Sequence, residues 1–138
     1  KFMFEFVNKI IEIFIPNNSY NYKSDDIYII KKLGREIKNN YFKSYPSINT
    51  MAQYAGMSPT KFKRVFKDVF GCSPHQYILD IRANQAKELL ESNYYTIAQI
   101  AHKVGFNYPS GLTRLIKTKF KVSPQELMKK NNVTLISQ

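Results

Sequence analysis

Tryptophan is absent from this 138-residue chain, cysteine occurs once and histidine twice. The single thiol, Cys72, excludes an intrachain disulfide and a cysteine-based zinc site, and it agrees with a reducing, cytoplasmic setting. His75 and His102 stand apart from any carboxylate or thiol pattern that would make a triad or a metal site, and no glycine-rich phosphate loop is present. No catalytic residue, metal ligand or cofactor is therefore expected, and the chain does not read as an enzyme. Long apolar runs are missing too. The opening Lys1–Ile15 is broken by Glu5, Lys9 and Glu12, is too short to span a bilayer and lacks the core of a signal peptide, so no membrane partner is expected. Acid is in short supply: 10 Asp+Glu face 21 Lys+Arg, giving a formal net charge of +11 and a pI near 9.7. That imbalance favours a polyanionic partner, either nucleic acid or an anionic surface.

What the chain does have is 43% hydrophobic residues, enough to pack one compact domain or a pair of small subdomains. It also repeats itself. Ile48, Ala52, Gly56, Arg64, Lys67, Ser73 and Pro74 are answered by Ile97, Ala101, Gly105, Arg114, Lys117, Ser123 and Pro124. The offset is 49 residues up to the glycine and 50 after it, so one extra residue follows Gly105. An alanine four residues before a glycine, between two short apolar-periodic segments, suits a helix-turn-helix. The alanine lets two helices approach, and the glycine takes the positive φ of the turn. The charge follows the repeat, residues 47–130 holding 13 Lys+Arg against 5 Asp+Glu.

No segment alternates like a strand, and the periodicity predicts an all-α fold. Phe2, Phe6, Ile10 and Phe14 predict a helix over Phe2–Ile15, stopped by Pro16. A second helix is predicted from Asp25 to Tyr41. Ser47 caps a short one to Ala55, and Ser58–Pro59 opens one to about Phe70, with Gly71 just beyond it. A long helix follows from Pro74 to about Glu91, opened by a capping box of Ser73 with Gln76. Thr96 and Gln99 form a capping box ahead of a helix ending near Val104, Pro109 starts the next, and Ser123 with Glu126 caps the last. The organisation reads as an N-terminal helix and linker (residues 1–24), then a first helix-turn-helix subdomain of the homeodomain-like, three-helix kind (25–73). A linker helix (74–91), a second such subdomain (92–131) and a tail (132–138) complete it.

On a helical wheel, Phe62, Val65, Phe66, Val69 and Phe70 share one face of the segment 60–70, and Thr60, Lys63, Arg64 and Lys67 share the other. A helix of this kind directly after the turn suits a major groove. Thr60, Lys63 and Arg64, near its start, are the candidates for base edges. Arg64 can pair bidentately with a guanine, worth about 1–3 kcal/mol of discrimination, while Lys67 is placed for a phosphate. In the second copy Ser110, Thr113, Arg114 and Lys117 lie opposite Leu112, Leu115 and Ile116. Gly111 costs that helix roughly 1 kcal/mol relative to Ala, and Lys121 stands where the first copy has Gly71. A linker helix about 27 Å long suits two recognition helices in successive major grooves, about 34 Å apart. The competing reading is a basic helical interaction module that binds an acidic protein or an anionic surface without reading bases.

The stretch Gly56-Met57-Ser58, Phe62-Lys63-Arg64-Val65-Phe66-Lys67, Gly71-Cys72-Ser73-Pro74, Tyr77-Ile78, Arg82, Ala86 and Leu89-Leu90 resembles the first half of the AraC/XylS signature. Ile97, Ile100-Ala101, Val104-Gly105-Phe106, Arg114, Lys117 and Ser123-Pro124 are similar to the second half. The resemblance implies a bacterial, sequence-specific regulator of transcription that binds double-stranded DNA, usually an activator that also touches RNA polymerase. By position it gives base-reading roles to Thr60, Lys63 and Arg64, and to Ser110, Thr113 and Arg114. It also implies an effector or signalling domain ahead of the DNA-binding part. Residues 1–24 are too short to be one, and the apolar stripe of residues 2–15 suits the remnant of a missing sensor domain, a contact with a dimer partner, or a helix covering the domain. Leu112, Ile116, Gly111, Tyr108 and Lys121 depart from the family pattern, all in the second copy.

Overall fold

The computed structural model describes residues 22–129; the predicted helix over Phe2–Ile15, with the partner contact assigned to it, and the tail 132–138 lie outside them. Six helices follow in order: α1 (Ser24–Asn39), α2 (Ile48–Tyr54), α3 (Pro59–Phe70), α4 (Pro74–Ser92), α5 (Ile97–Lys103) and α6 (Pro109–Phe120). Residues 124–129 are helical as well, and no strand occurs among the described residues. The fold is all-α, with α2–α3 and α5–α6 as its two helix-turn-helix pairs and α4 as the long helix between them in sequence. The chain divides into two units. Ser47–Pro74 groups with residues 22–34, and residues 75–129 group with Arg35–Pro46.

In the first unit, Asp25 and Asp26 occupy the first turn of α1, where carboxylates complement the helix dipole. Ile30, Leu33, Met51, Ala52, Met57, Phe62, Val65 and Phe66 are buried. Phe62 and Phe66 have ring centroids 5.9 Å apart, and Phe66 and Phe70 4.7 Å apart. A Cβ at Gly34 would overlap the Phe70 ring, so α1 and the end of α3 meet only because position 34 has no side chain. The helix α1 stops at Asn39, two residues short of the predicted Tyr41. There the Asn40 side chain donates to the Glu36 carbonyl at 3.0 Å, closing the last turn.

In the second unit, Ala86, Leu90, Ile100, Ala101, Val104, Leu112, Ile116 and Leu127 form the core, with Tyr41, Tyr95, Phe106 and Phe120 packed against it. The predicted Thr96–Gln99 capping box is present, and Ser123 with Glu126, predicted to cap the last helix, forms a second one. Gln99 N donates to Thr96 Oγ1 at 3.2 Å and Thr96 N to Gln99 Oε1 at 2.9 Å. Ser123 and Glu126 exchange the same two bonds at 2.9 and 3.2 Å. Arg82 is buried at 9% exposure, donating to the carbonyls of Tyr41 (2.8 Å) and Lys43 (3.1 Å). Its guanidinium also lies 4.9 Å from the Tyr45 ring centroid and 5.4 Å from that of Phe106.

The two turns have one geometry. Met57 N bonds the Ala52 carbonyl at 2.9 Å and Gly56 N the Gln53 carbonyl at 3.1 Å; Phe106 N bonds Ala101 at 2.9 Å and Gly105 N bonds His102 at 3.1 Å. With Gly56 at φ 66° and Gly105 at φ 97°, each is a Schellman ending: the alanine carbonyl takes the six-residue bond and a left-handed glycine reverses the chain.

Lys121, after α6, is left-handed at φ 60°, where its counterpart Gly71 has φ 77°. The left-handed conformation costs a side chain-bearing residue about 1–2 kcal/mol. Lys121→Gly is expected to raise the unfolding free energy by about 0.5–1 kcal/mol, net of the freedom glycine adds to the unfolded chain. Urea titration checks this, and an unchanged or lower midpoint would show that position 121 is not strained.

Candidate nucleic-acid interface

The first candidate helix is specified locally at both ends. Ser58 is extended (φ −66°, ψ 152°) and its hydroxyl accepts from Lys61 N at 3.2 Å; Pro59 opens the helix and Gly71 closes it. Packing then fixes which side faces outward. Phe62, Val65 and Phe66 are buried, and Thr60, Lys63, Arg64 and Lys67 are all exposed on the other side. The structure thus brings the four predicted residues of α3 together on one surface. The N-terminal amides of such a helix, with its dipole, attract phosphate oxygens.

Two acidic contacts flank that surface, and periodicity gave no sign of them. Lys61 Nζ lies 2.7 Å from Asp26 Oδ2 of α1. The Tyr22 hydroxyl donates to Asp68 Oδ2 at 2.5 Å. Burial, and then the neighbouring Asp68 carboxylate, push the Tyr22 phenol above its ordinary pKa, while Arg64, hydrogen-bonded to the same group, pulls it back. Tyr22 falls within the stretch read as polar linker, so nothing in the pattern linked it to a helix 46 residues away.

The second candidate helix shares the frame but not the local signals. Tyr108 is the N-cap residue of α6 and makes no side-chain cap bond. Leu112 and Ile116 are buried, and Ser110, Arg114 and Lys117 are exposed. Thr113 is half-buried rather than on the open surface with the other three. Gly111 has a structural reason: a Cβ there would stand 2.7 Å from the Phe106 ring, which lies over it. Lys119, one turn further on, is tied to Asp80 Oδ1 of α4 at 3.3 Å.

His75 and His102 are both exposed, and Cys72 is half-buried. Among the described residues no group of three or more His, Cys, Asp or Glu side chains is assembled to hold a metal ion. Nor is any described helix long and apolar enough to cross a membrane.

A pair of short helices, joined by a Schellman turn and presenting a polar, cationic recognition helix, defines the helix-turn-helix class of DNA-binding regulators. The comparisons agree. The model of the family described as "Helix-turn-helix domain" matches residues 51–130. The chain is 35% identical over 82 residues to HTH-type transcriptional regulator Rv1931c of Mycobacterium tuberculosis, covering 59% of this chain and 32% of that one. It is 29% identical over 96 residues to the virulence regulon transcriptional activator VirF of Yersinia enterocolitica, covering 70% and 35%. The DNA-binding domain of the global transcriptional factor AdpA, solved in complex with a target DNA, superposes with a TM-score of 0.70 at 24% identity, covering 76% of this chain and 94% of that one. That likeness shows the shared fold. The chain belongs to the AraC/XylS family and carries its double helix-turn-helix domain. It spans 8% to 40% of the length of the first four curated relatives it matches.

Tyr108 is 74% exposed, so it can be changed with little loss of packing. Tyr108→Ser supplies the missing cap and is expected to stabilise the protein by about 1 kcal/mol. Thermal melting tests this; a fall in midpoint would show that the tyrosine ring contributes more than a cap would.

Proposed function

We propose that this chain is a sequence-specific, double-stranded DNA-binding transcription regulator that places α3 and α6 in successive major grooves. Thr60, Lys63 and Arg64 read base edges from α3, and Ser110, Thr113 and Arg114 do so from α6. Lys67 and Lys117, a turn further along, meet phosphates. One observation carries the reading. After two turns of the same geometry, each helix buries its apolar row and exposes a cationic one, α6 having no acid at all and α3 only Asp68, which is tied to Tyr22. A helix that had only to be soluble would mix both signs on its outer side.

The role of activator rests on the family resemblance and on the name of the Yersinia relative, and the cytoplasmic setting and the contact with RNA polymerase on the family resemblance alone. The half-buried Thr113 and the uncapped start of α6 support a division of labour in which α3 supplies more of the base discrimination. The competing reading, a basic module for an acidic protein or surface, predicts affinity without sequence preference.

Selection from randomised duplex DNA, followed by salt-titrated anisotropy on the selected site and a scrambled duplex, separates the two. Arg64→Ala is expected to relax preference at one position, a loss of about 1–3 kcal/mol on the selected site. Lys67→Ala should weaken binding to every duplex alike and flatten the salt dependence by about one unit of slope. Equal losses on selected and scrambled DNA for both variants would count against base reading, and no enrichment at all would favour the interaction module.

A further inference from the structure

Beside the exposed row of α3, the helix is contacted by Tyr22, just ahead of α1, and by Asp26, in the first turn of α1. Tyr22 and Asp26 are four apart, and they meet α3 at Asp68 and Lys61, with Arg64 between these two in sequence. Lys61, Arg64 and Asp68 are spaced by three and four, which sets them along one side of the helix. The entry segment is itself restrained, since Asp26 N and Ile27 N donate to the Lys23 carbonyl at 3.0 and 3.4 Å. The Tyr22 hydroxyl is placed against α3 by its bond to Asp68. It donates its one proton to Asp68 Oδ2, one helical turn from Arg64, whose guanidinium is near enough to pull the phenol's pKa down.

We propose that Tyr22 is a positioning residue for base readout: its hydroxyl, oriented by Asp68, holds one part of the Arg64 guanidinium so that the remaining donors face the groove. The inference rests on the assignment of Arg64 as a base reader. A guanidinium carries five donors on a rigid plane, and a bidentate pair with guanine O6 and N7 needs only two of them. Anchoring the plane in advance removes rotamer freedom that would otherwise be lost on binding. It also disfavours rotamers in which arginine would accept another base or slide to a phosphate. The device belongs to α3 alone, because the second copy has Thr118 where the first has Asp68.

The test uses the full chain, the selected duplex, the same duplex with the guanine assigned to Arg64 replaced, and a scrambled duplex. Tyr22→Phe keeps the ring and removes only the hydroxyl. It is expected to lower the affinity ratio between the first two duplexes by about three- to tenfold, with affinity for the scrambled duplex and the melting temperature unchanged. A merely structural tyrosine would move stability, or all affinities together, and leave the ratio alone. Asp68→Asn should lower the same ratio while strengthening binding to all three duplexes, since it removes a negative charge near the backbone. In an Arg64→Ala background, Tyr22→Phe should have no further effect on the ratio. If Arg64→Ala abolishes the preference and Tyr22→Phe leaves it intact, the positioning role is overturned and the base-reading assignment stands. If Arg64→Ala itself keeps the preference, both fall.

Discussion

The turn between the paired helices is the constraint on which everything else depends. In each pair an alanine carbonyl, Ala52 or Ala101, accepts an amide from five residues on, and that bond closes only if the intervening glycine is left-handed. The same two alanines are buried at 0% and 1% exposure. Their small side chains leave room for the second helix to pack closely. A larger residue would push α3 or α6 away from the core, and a right-handed residue at the turn would send the helix elsewhere. The outward direction of Arg64 or Arg114 thus follows from a backbone dihedral eight or nine residues upstream.

Much of this was legible because it is local. Ser58, Thr96 with Gln99, and Ser123 with Glu126 announce helix starts through bonds that span three residues, and the glycines announce turns. The wheel separated Phe62, Val65 and Phe66 from Thr60, Lys63, Arg64 and Lys67, which is the division the structure has. What the sequence hid is long-range and polar. Arg82 takes backbone carbonyls 39 and 41 residues away, and carbonyls leave no mark on a sequence. Tyr22 reaches Asp68 across 46 residues from a stretch whose composition reads as linker. Thr113 looked equivalent to Lys63, yet it is half-buried, because a wheel assigns a face without knowing how far neighbouring elements cover it.

The two copies keep one frame while dividing its support differently. The first recognition helix has a serine cap, a glycine stop and an ion pair from Lys61 to α1. At the equivalent places the second has Tyr108, which makes no cap bond, Gly111, which has no side chain to pair, and Lys121, which takes the same left-handed stop as Gly71 but at the cost of a side chain there. Its order comes from the buried pair Leu112 and Ile116, from the Lys119–Asp80 contact and from the Ser123–Glu126 box that follows. Helices this short are marginal alone, so α6 depends on tertiary packing where α3 also carries local restraints. Divergence of this kind is tolerated because caps contribute about 1 kcal/mol each, whereas the buried side that sets the helix orientation is retained.

Arg82 shows how a buried charge can tie distant segments together without a carboxylate. Arginine cannot lose its proton, so once buried it must be solvated by the protein. Here two carbonyls and the faces of two rings serve, which fixes the 41–45 segment against α4 and brings Phe106 to the same guanidinium. Gly105 completes the arrangement. A Cβ there would stand 2.8 Å from Arg82 Nη2 and 3.0 Å from the Phe42 carbonyl, besides facing a φ of 97°. Gly56, at the same point of the other copy, has nothing within 4 Å of where its Cβ would be, and answers to its φ alone. An asparagine, which tolerates the left-handed region, fits the demands on Gly56 but not those on Gly105. Two glycines that a repeat aligns are therefore held by different physics, one by a dihedral angle and the other also by a cation whose solvation shell leaves no room for a side chain.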